Sequence, residues 1–168
     1  MKKGIGQFCS PIFLLLIGCP LTFSQDYCAE AQFKIPLGKQ EKTNTVERAV
    51  DGDTLLLSNG ERIRLIGVDT PETVHPNKPV EHFGKEAKAF AQREIEGREA
   101  RLEFDWQKND KYGRTLAYVY RKEDNFFLNA EIIKQGYGHA YTRFPFKYLE
   151  EFRRYEREAR ENGRGLWQ

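Results

Sequence analysis

Three short segments of this 168-residue chain set carboxylates or arginines beside turn-forming glycine or proline. In Val50-Asp51-Gly52-Asp53-Thr54, two carboxylates flank a glycine. Asp and Gly favour turns for backbone reasons alone, so this segment reads first as a turn and second as a pair of hard oxygen ligands. In Arg64-Leu65-Ile66-Gly67-Val68-Asp69-Thr70-Pro71-Glu72, an apolar strand ends at Asp69, and Pro71 forces Thr70 into an extended conformation. That bend can gather Asp69, the Thr70 carbonyl and Glu72 around one point. Such a donor set suits Ca²⁺ or Mg²⁺, and Ca²⁺ tolerates irregular geometry better. The plainer reading is a strand end with a solvated acidic loop. In Asp110-Lys111-Tyr112-Gly113-Arg114, a polar turn leads into a strand, and a rigid strand end would present the Arg114 fork to phosphate oxygens.

The elements that must position these residues follow from periodicity. Val46, Arg48 and Val50 suggest a strand entering the Asp51-Gly52-Asp53 turn. Asp53 to Ser58 and Glu61 to Val68 alternate as strands around Asn59-Gly60, a pair favoured in type I′ hairpins. Pro71 to Phe83, with three prolines, reads as a loop in which Lys78 is a candidate substrate contact and His75 a solvated residue. Phe83, Ala87, Phe90, Ala91 and Ile95 recur at helical spacing up to Gly97. Ala100 to Phe104 and Arg114 to Tyr120 are two further strands. Asn129 to Gln135 is a short helix stopped at Gly136, and Lys147 to Asn162 a longer one capped by Gly163. Tyr148, Phe152, Tyr155 and Ala159 form its apolar stripe, while its mixed charges read as a solvated face. Five strands with a helix between the third and fourth predict an α+β chain: a closed, antiparallel, five-stranded OB-fold barrel with about three α-helices.

Charge and cysteine usage narrow the function classes. Residues 1–24 hold Lys2, Lys3 and no acids, so the remainder carries 25 basic and 25 acidic residues. Any affinity for a polyanion must therefore come from local clusters rather than bulk charge. Cys9, Cys19 and Cys28 form neither a CxxC pair nor a zinc-spaced cluster, which argues against zinc and against a disulfide framework. The Lys2-Lys3 start and the apolar run Ile12 to Ile17 have the form of a signal peptide and are too short to span a bilayer. Cleavage before Gln25 is the expectation. Leu16-Ile17-Gly18-Cys19 also resembles a bacterial lipobox, and only lipidation of Cys19 would tie the protein to a membrane. The expected organisation is a signal peptide over 1–24, a polar arm over 25–44 and one domain over 45–168, in an exported protein.

In combination and in this order, the three segments resemble the signature blocks of the staphylococcal nuclease (thermonuclease) family. The resemblance runs from about Val46 to Trp167 and includes Glu86-Ala87, Asn129, Gln135-Gly136 and Leu166-Trp167. It implies a Ca²⁺-dependent phosphodiesterase acting on DNA and RNA, preferring single strands, as a monomer with no protein partner. Asp53 and Asp69 match the calcium-binding carboxylates, Thr70 the residue whose carbonyl joins them, and Asp51 a position near the metal through water. Glu72 matches the glutamate that activates or orients the attacking water, and Arg64 and Arg114 the arginines that hold the phosphate. Lys111, Tyr112 and Tyr141 match contacts to the nucleotide's phosphate or base. The same resemblance implies departure of the 5′-oxygen, leaving 3′-phosphate ends. One departure stands out: Tyr141-Thr142-Arg143 has an arginine where the best-known member carries a second aromatic, so base stacking is altered.

Two rival readings use the same residues. A catalytically inactive OB-fold module that binds single-stranded nucleic acid would typically have lost the carboxylates or arginines, and here all are kept. A calcium-binding structural domain gives no reason for Arg64 and Arg114 to accompany the acids.

Overall fold

The computed structural model of the chain describes residues 41–73 and 81–168. The expected signal segment, the three cysteines, His75 and Lys78 lie outside the described residues, as does the expected arm up to residue 40. Strands β1 (Glu41–Asp51), β2 (Thr54–Leu57), β3 (Arg62–Leu65) and β4 (Val68–Asp69) come first. Helix α1 (Gly84–Ile95), strands β5 (Glu99–Glu103) and β6 (Thr115–Arg121), and helix α2 (Leu128–Lys134) follow. Strand β7 (His139–Ala140), helix α3 (Leu149–Glu161) and a 3₁₀ turn over Gly165–Trp167 complete the described chain.

Five strands close a barrel in the order β1-β2-β3-β6-β5, as the strand count predicts. One seam differs from the expected all-antiparallel barrel. β3 and β6 run parallel, with Ile63, Arg64 and Leu65 opposite Thr115, Leu116 and Ala117. A parallel pair needs a long crossover, and α1 with β5 supplies it. β1 also starts earlier than its apolar alternation suggests, because Glu41 to Thr45 pair with Glu103 to Glu99 of β5. The last four residues assigned to the polar arm thus belong to the barrel, held by backbone pairing rather than by apolar side chains.

Alternation places Val46, Leu55, Leu57, Ile63, Leu65, Ala100, Leu102, Ala117 and Val119 inside, all essentially inaccessible to solvent. Ala91 and Ile95 of α1, Ile132 and Ile133 of α2, and Phe152 of α3 pack in the same cluster. β6 is buried on both faces. Leu116, Tyr118 and Tyr120 point the other way, where Ile66, Phe127, Phe146 and Tyr148 meet them. Asn129 bridges the two sides. It is fully buried, accepts the Val119 N–H at 2.9 Å, and donates to the Ile66 carbonyl at 3.0 Å and the Ala117 carbonyl at 3.3 Å.

Two local forms depart from expectation. The β2–β3 connection is not a type I′ turn, since Gly60 has φ +81° and Asn59 lies outside the left-handed region. The bonds Gly60 N–H to Leu57 C=O (2.8 Å) and Leu57 N–H to Glu61 C=O (2.9 Å) define a three-residue loop with a glycine bulge. The single strand expected over Glu61 to Val68 breaks at Gly67, whose φ of +74° separates β3 from β4. The break re-aims the chain so that β4 leaves the barrel and pairs with β7, a two-residue strand too short to show a sequence period.

Candidate active site

The turn after β1, the end of β4 and the start of β6 converge at one mouth of the barrel. A cleft of about 340 Å³ there is lined by Asp51, Asp53, Thr54, Arg62, Arg64, Asp69, Thr70, Glu72 and Arg114, with Val50 behind them. All six residues expected to hold metal or take part in the chemistry, Asp53, Arg64, Asp69, Thr70, Glu72 and Arg114, are therefore together.

Arg64 is the hub. Projecting from β3, its guanidinium pairs closely with Asp53 Oδ1 and donates from Nη2 to Asp69 Oδ1 at 3.1 Å. Burial lowers its pKa from the usual arginine value; the Asp69 carboxylate pulls it back, Arg114 lowers it and Glu72 raises it. Asp69, Arg114 and Glu72 thus all lie within electrostatic range of Arg64. Asp53 is itself buried, at 6% exposure, and its second oxygen accepts the Thr70 N–H at 3.0 Å. Thr70 packs tightly: a Cβ on Gly52 would lie 2.8 Å from its hydroxyl, and one on Gly138 2.9 Å from its methyl. These two glycines let the backbone around Thr70 be clamped from both sides.

Asp51 lines the cleft and anchors the loop that follows β4. Its carboxylate accepts the Gly52 N–H and the Thr73 hydroxyl, both at 2.9 Å, and the Thr73 N–H at 3.2 Å. It ties the Thr70–Thr73 segment to the β1 turn. Glu72 is exposed at the cleft, and its backbone pairs with Glu81 across the loop: Glu72 N–H to Glu81 Oε2 at 3.1 Å, and Glu81 N–H to the Glu72 carbonyl at 3.0 Å.

Arg114 is held by Asp110, which sequence reasoning placed only in a turn. Asp110 Oδ2 accepts from Arg114 Nε at 2.7 Å, and Oδ1 accepts the backbone N–H groups of Arg114 and Tyr112, both at 2.9 Å. Burial would raise the Asp110 carboxyl, but these hydrogen bonds outweigh it and hold its pKa below the usual carboxylate range. The i, i+4 spacing of an acid and an arginine around a glycine was the available signal.

A second cleft of about 500 Å³ opens on the other side of the same arginines. Lys111, Tyr112 and Tyr141, the expected nucleotide contacts, all line it together with Arg64, Asp69, Arg114 and Arg143. Tyr141 is placed by its N–H, which donates to the Gly67 carbonyl at 3.0 Å. Tyr112 is almost bare and lies under the Lys111 ammonium (4.9 Å) and the Arg114 guanidinium (5.5 Å).

The donors themselves test whether a divalent cation suits the first cleft. They are oxygens throughout, with no His or Cys, as a hard cation prefers. Asp53 and Asp69 already converge on one positive group, the Arg64 guanidinium, so their oxygens share a single focus. Among the described residues no three His, Cys, Asp or Glu side chains form a metal cluster, so a third protein donor must come from the backbone, as the Thr70 carbonyl would. The residues fit.

Comparison with known proteins agrees with this arrangement. The family model described as Staphylococcal nuclease homologue matches residues 62–168, which takes in every expected site residue except Asp53 and the nearby Asp51. The thermonuclease of Staphylococcus hyicus is 40% identical over 131 residues, covering 76% of each chain. The thermonuclease of Staphylococcus intermedius is 41% identical over 127 residues, 73% of this chain and 74% of that one. Endonuclease YncB of Bacillus subtilis is 36% identical over 156 residues, 87% of this chain and 73% of its own. With a family match across well over half its length and relatives at this identity, the chain belongs to the staphylococcal nuclease homologues.

Proposed function

We propose that this protein is a nuclease that hydrolyses phosphodiester bonds of DNA and RNA, preferring unpaired strands, with Ca²⁺ as its metal. The observation that carries this reading is the sharing of one cleft by Arg64, Arg114, Glu72, Asp53 and Asp69. A phosphodiester is an anion that repels nucleophiles, so a site that cleaves it must supply positive charge, a positioned water and a path for the leaving oxygen.

Arg64 and Arg114 flank the cleft from adjacent strands and would donate to the non-bridging phosphate oxygens as charge grows there. Stabilisation of this type is commonly worth about 3–4 kcal/mol per donor. Asp53 and Asp69, with the Thr70 carbonyl, would hold Ca²⁺, which supplies Lewis-acid polarisation of a phosphoryl oxygen when bound. A bound phosphate would offer Arg64 a competing anion and so loosen its hold on Asp53 and Asp69. Glu72 accepts a hydrogen bond from the attacking water and takes or shares its proton. Asp51 keeps the Glu72 segment in register by binding Thr73. The bond from phosphorus to the 5′-oxygen breaks as the water oxygen bonds to phosphorus, and the departing 5′-oxygen takes a proton from solvent, leaving a 5′-hydroxyl and a 3′-phosphate end.

The test is digestion of single-stranded DNA and RNA by the purified protein with added Ca²⁺, with a chelator, and with the Glu72→Gln variant. Cleavage that needs Ca²⁺ and falls by at least about 100-fold in the variant is expected, in line with loss of a general base. A variant as fast as wild type would remove Glu72 from the mechanism. Folded protein that binds the strand but fails to cut it, whichever divalent cation is added, would favour the non-catalytic binding module instead.

A further inference from the structure

Three large apolar side chains stand out as exposed among the described residues: Trp106 (67%), Tyr112 (72%) and Phe144 (56%). All three line the same 500 Å³ cleft. Tyr112 is already placed as a nucleotide contact, whereas Trp106 and Phe144 are not used by the reading above. Exposed aromatics gathered on one concave surface mark a binding surface more often than a random scatter does.

Trp106 is exposed but not loose. Its indole N–H donates to the Pro145 carbonyl at 3.1 Å, and its backbone N–H donates to Asp105 Oδ1 at 2.8 Å. Asp105 in turn accepts the Tyr118 hydroxyl at 2.5 Å and the Lys147 N–H at 3.0 Å through Oδ2. The two segments that carry Trp106 and Phe144 are therefore laced together across the cleft wall. Phe144 sits beside Tyr141, ring centroids 6.2 Å apart and tilted by 51°. A flat ring held in place without being buried has lost its rotamer freedom and kept its faces available, which favours a planar ligand. The same cleft has Lys111, Arg143, Arg64 and Arg114 on its walls, so the ligand should also be anionic.

We propose that Trp106 and Phe144 form a second base subsite, which stacks the base next to the one met by Tyr112 and Tyr141 on an unpaired strand. Resting on the nuclease reading, it makes the protein a reader of at least two consecutive unpaired bases. The subsite also supplies aromatic surface on a chain that carries Arg143 in place of a second aromatic after Tyr141. A base pair cannot offer its faces to these rings while stacked in a duplex, so unpaired strands are selected at the binding step.

The test uses the full chain in chelator, which keeps the strand intact, and titrates thymidine 5′-phosphate and tetrathymidylate by calorimetry. In the wild type, tetrathymidylate binds more tightly than the mononucleotide, and that ratio falls on the order of tenfold in Trp106→Leu and in Phe144→Leu. Trp106→Phe restores most of the ratio although it lacks the indole N–H, which separates stacking from the bond to Pro145. Tetrathymidylate also quenches indole emission in the wild type, and Trp106→Phe abolishes the quenching while still binding. A ratio unchanged in Trp106→Leu, or saturation without quenching in the wild type, overturns the subsite. If the wild type still cleaves DNA in Ca²⁺, that result leaves the nuclease reading standing; a wild type that neither binds nor cleaves removes both.

Discussion

Asp110 shows how much a single carboxylate can organise. It fixes three N–H groups of its own turn, one of them the Arg114 Nε–H, so that guanidinium is held in one orientation at the cleft. Asp110→Asn replaces an acceptor by an amide whose N–H groups face Arg114. Turnover should fall roughly tenfold, given about 1.5–3 kcal/mol for a charged hydrogen bond of which only part is lost. Steady-state kinetics on single-stranded DNA checks this, the loss falling mainly on kcat. The same residue sets a pH dependence. Its folded pKa lies below the ordinary aspartate value of about 3.9, so its stabilising contribution is complete above that pH and is lost as pH falls through the folded value. The stability gap between wild type and Asp110→Asn, read from urea unfolding, should be constant from pH 5 to 8 and close below about pH 4. At this scale the sequence picked out residues that the fold brings to one cleft, through the combined resemblance of three segments that singly read as turns or a solvated loop. The division of labour among them was not legible. Asp51 and Asp53 are two residues apart in one turn, and only their partners show that Asp51 clasps Thr73 while Asp53 faces Arg64 and Thr70.

At the scale of elements, the break between β3 and β4 decides where Asp69 goes. Gly67 can take φ +74° without steric cost, and a Cβ there would lie 2.6 Å from the Phe146 ring and 2.9 Å from that of Phe152. Gly67→Ala would meet a left-handed penalty of about 1–2 kcal/mol and an overpacking cost of about 1–3 kcal/mol. Equilibrium urea unfolding should show the protein destabilised by roughly 2–5 kcal/mol. Activity of the folded fraction should also drop, because the Gly67 carbonyl holds the Tyr141 N–H. Helix ends were the easiest elements to read. Gly136 and Gly163 each close a helix with the paired bonds of a Schellman motif, Gly136 to Ile133 with Tyr137 to Ile132, and Gly163 to Arg160 with Arg164 to Ala159. The solvated face of α3 is likewise borne out by its pairs Arg153–Glu150, Arg154–Glu158 and Arg160–Glu156. Missing from the sequence were the strand pieces held by pairing alone. The first residues of β1 are polar, and β7 has only two residues, so neither carries an apolar period.

For the whole molecule, the parallel β3–β6 seam is the join that makes the barrel closed, and Asn129 rivets it from α2. Asn129→Leu would leave the Val119 N–H without its acceptor and the Ile66 carbonyl without this donor. At about 1–3 kcal/mol per orphaned group, the loss should be roughly 2–5 kcal/mol, seen as a lower urea midpoint with an unchanged denaturant slope. Periodicity cannot reveal the direction of a strand pair, which is why five strands predicted closure and not the parallel seam. That seam also has a consequence in time. Arg64 sits on one side of it and Arg114 immediately precedes the other, fifty residues later in the chain. A polypeptide still emerging from the ribosome holds its acids and its first arginine long before the opposing strand exists, and local contacts cannot bring the two arginines together. The cleft therefore takes shape only late in synthesis, once β6 exists to lie beside β3. A half-made copy carries the acids and one arginine without the cleft that would join them to the second.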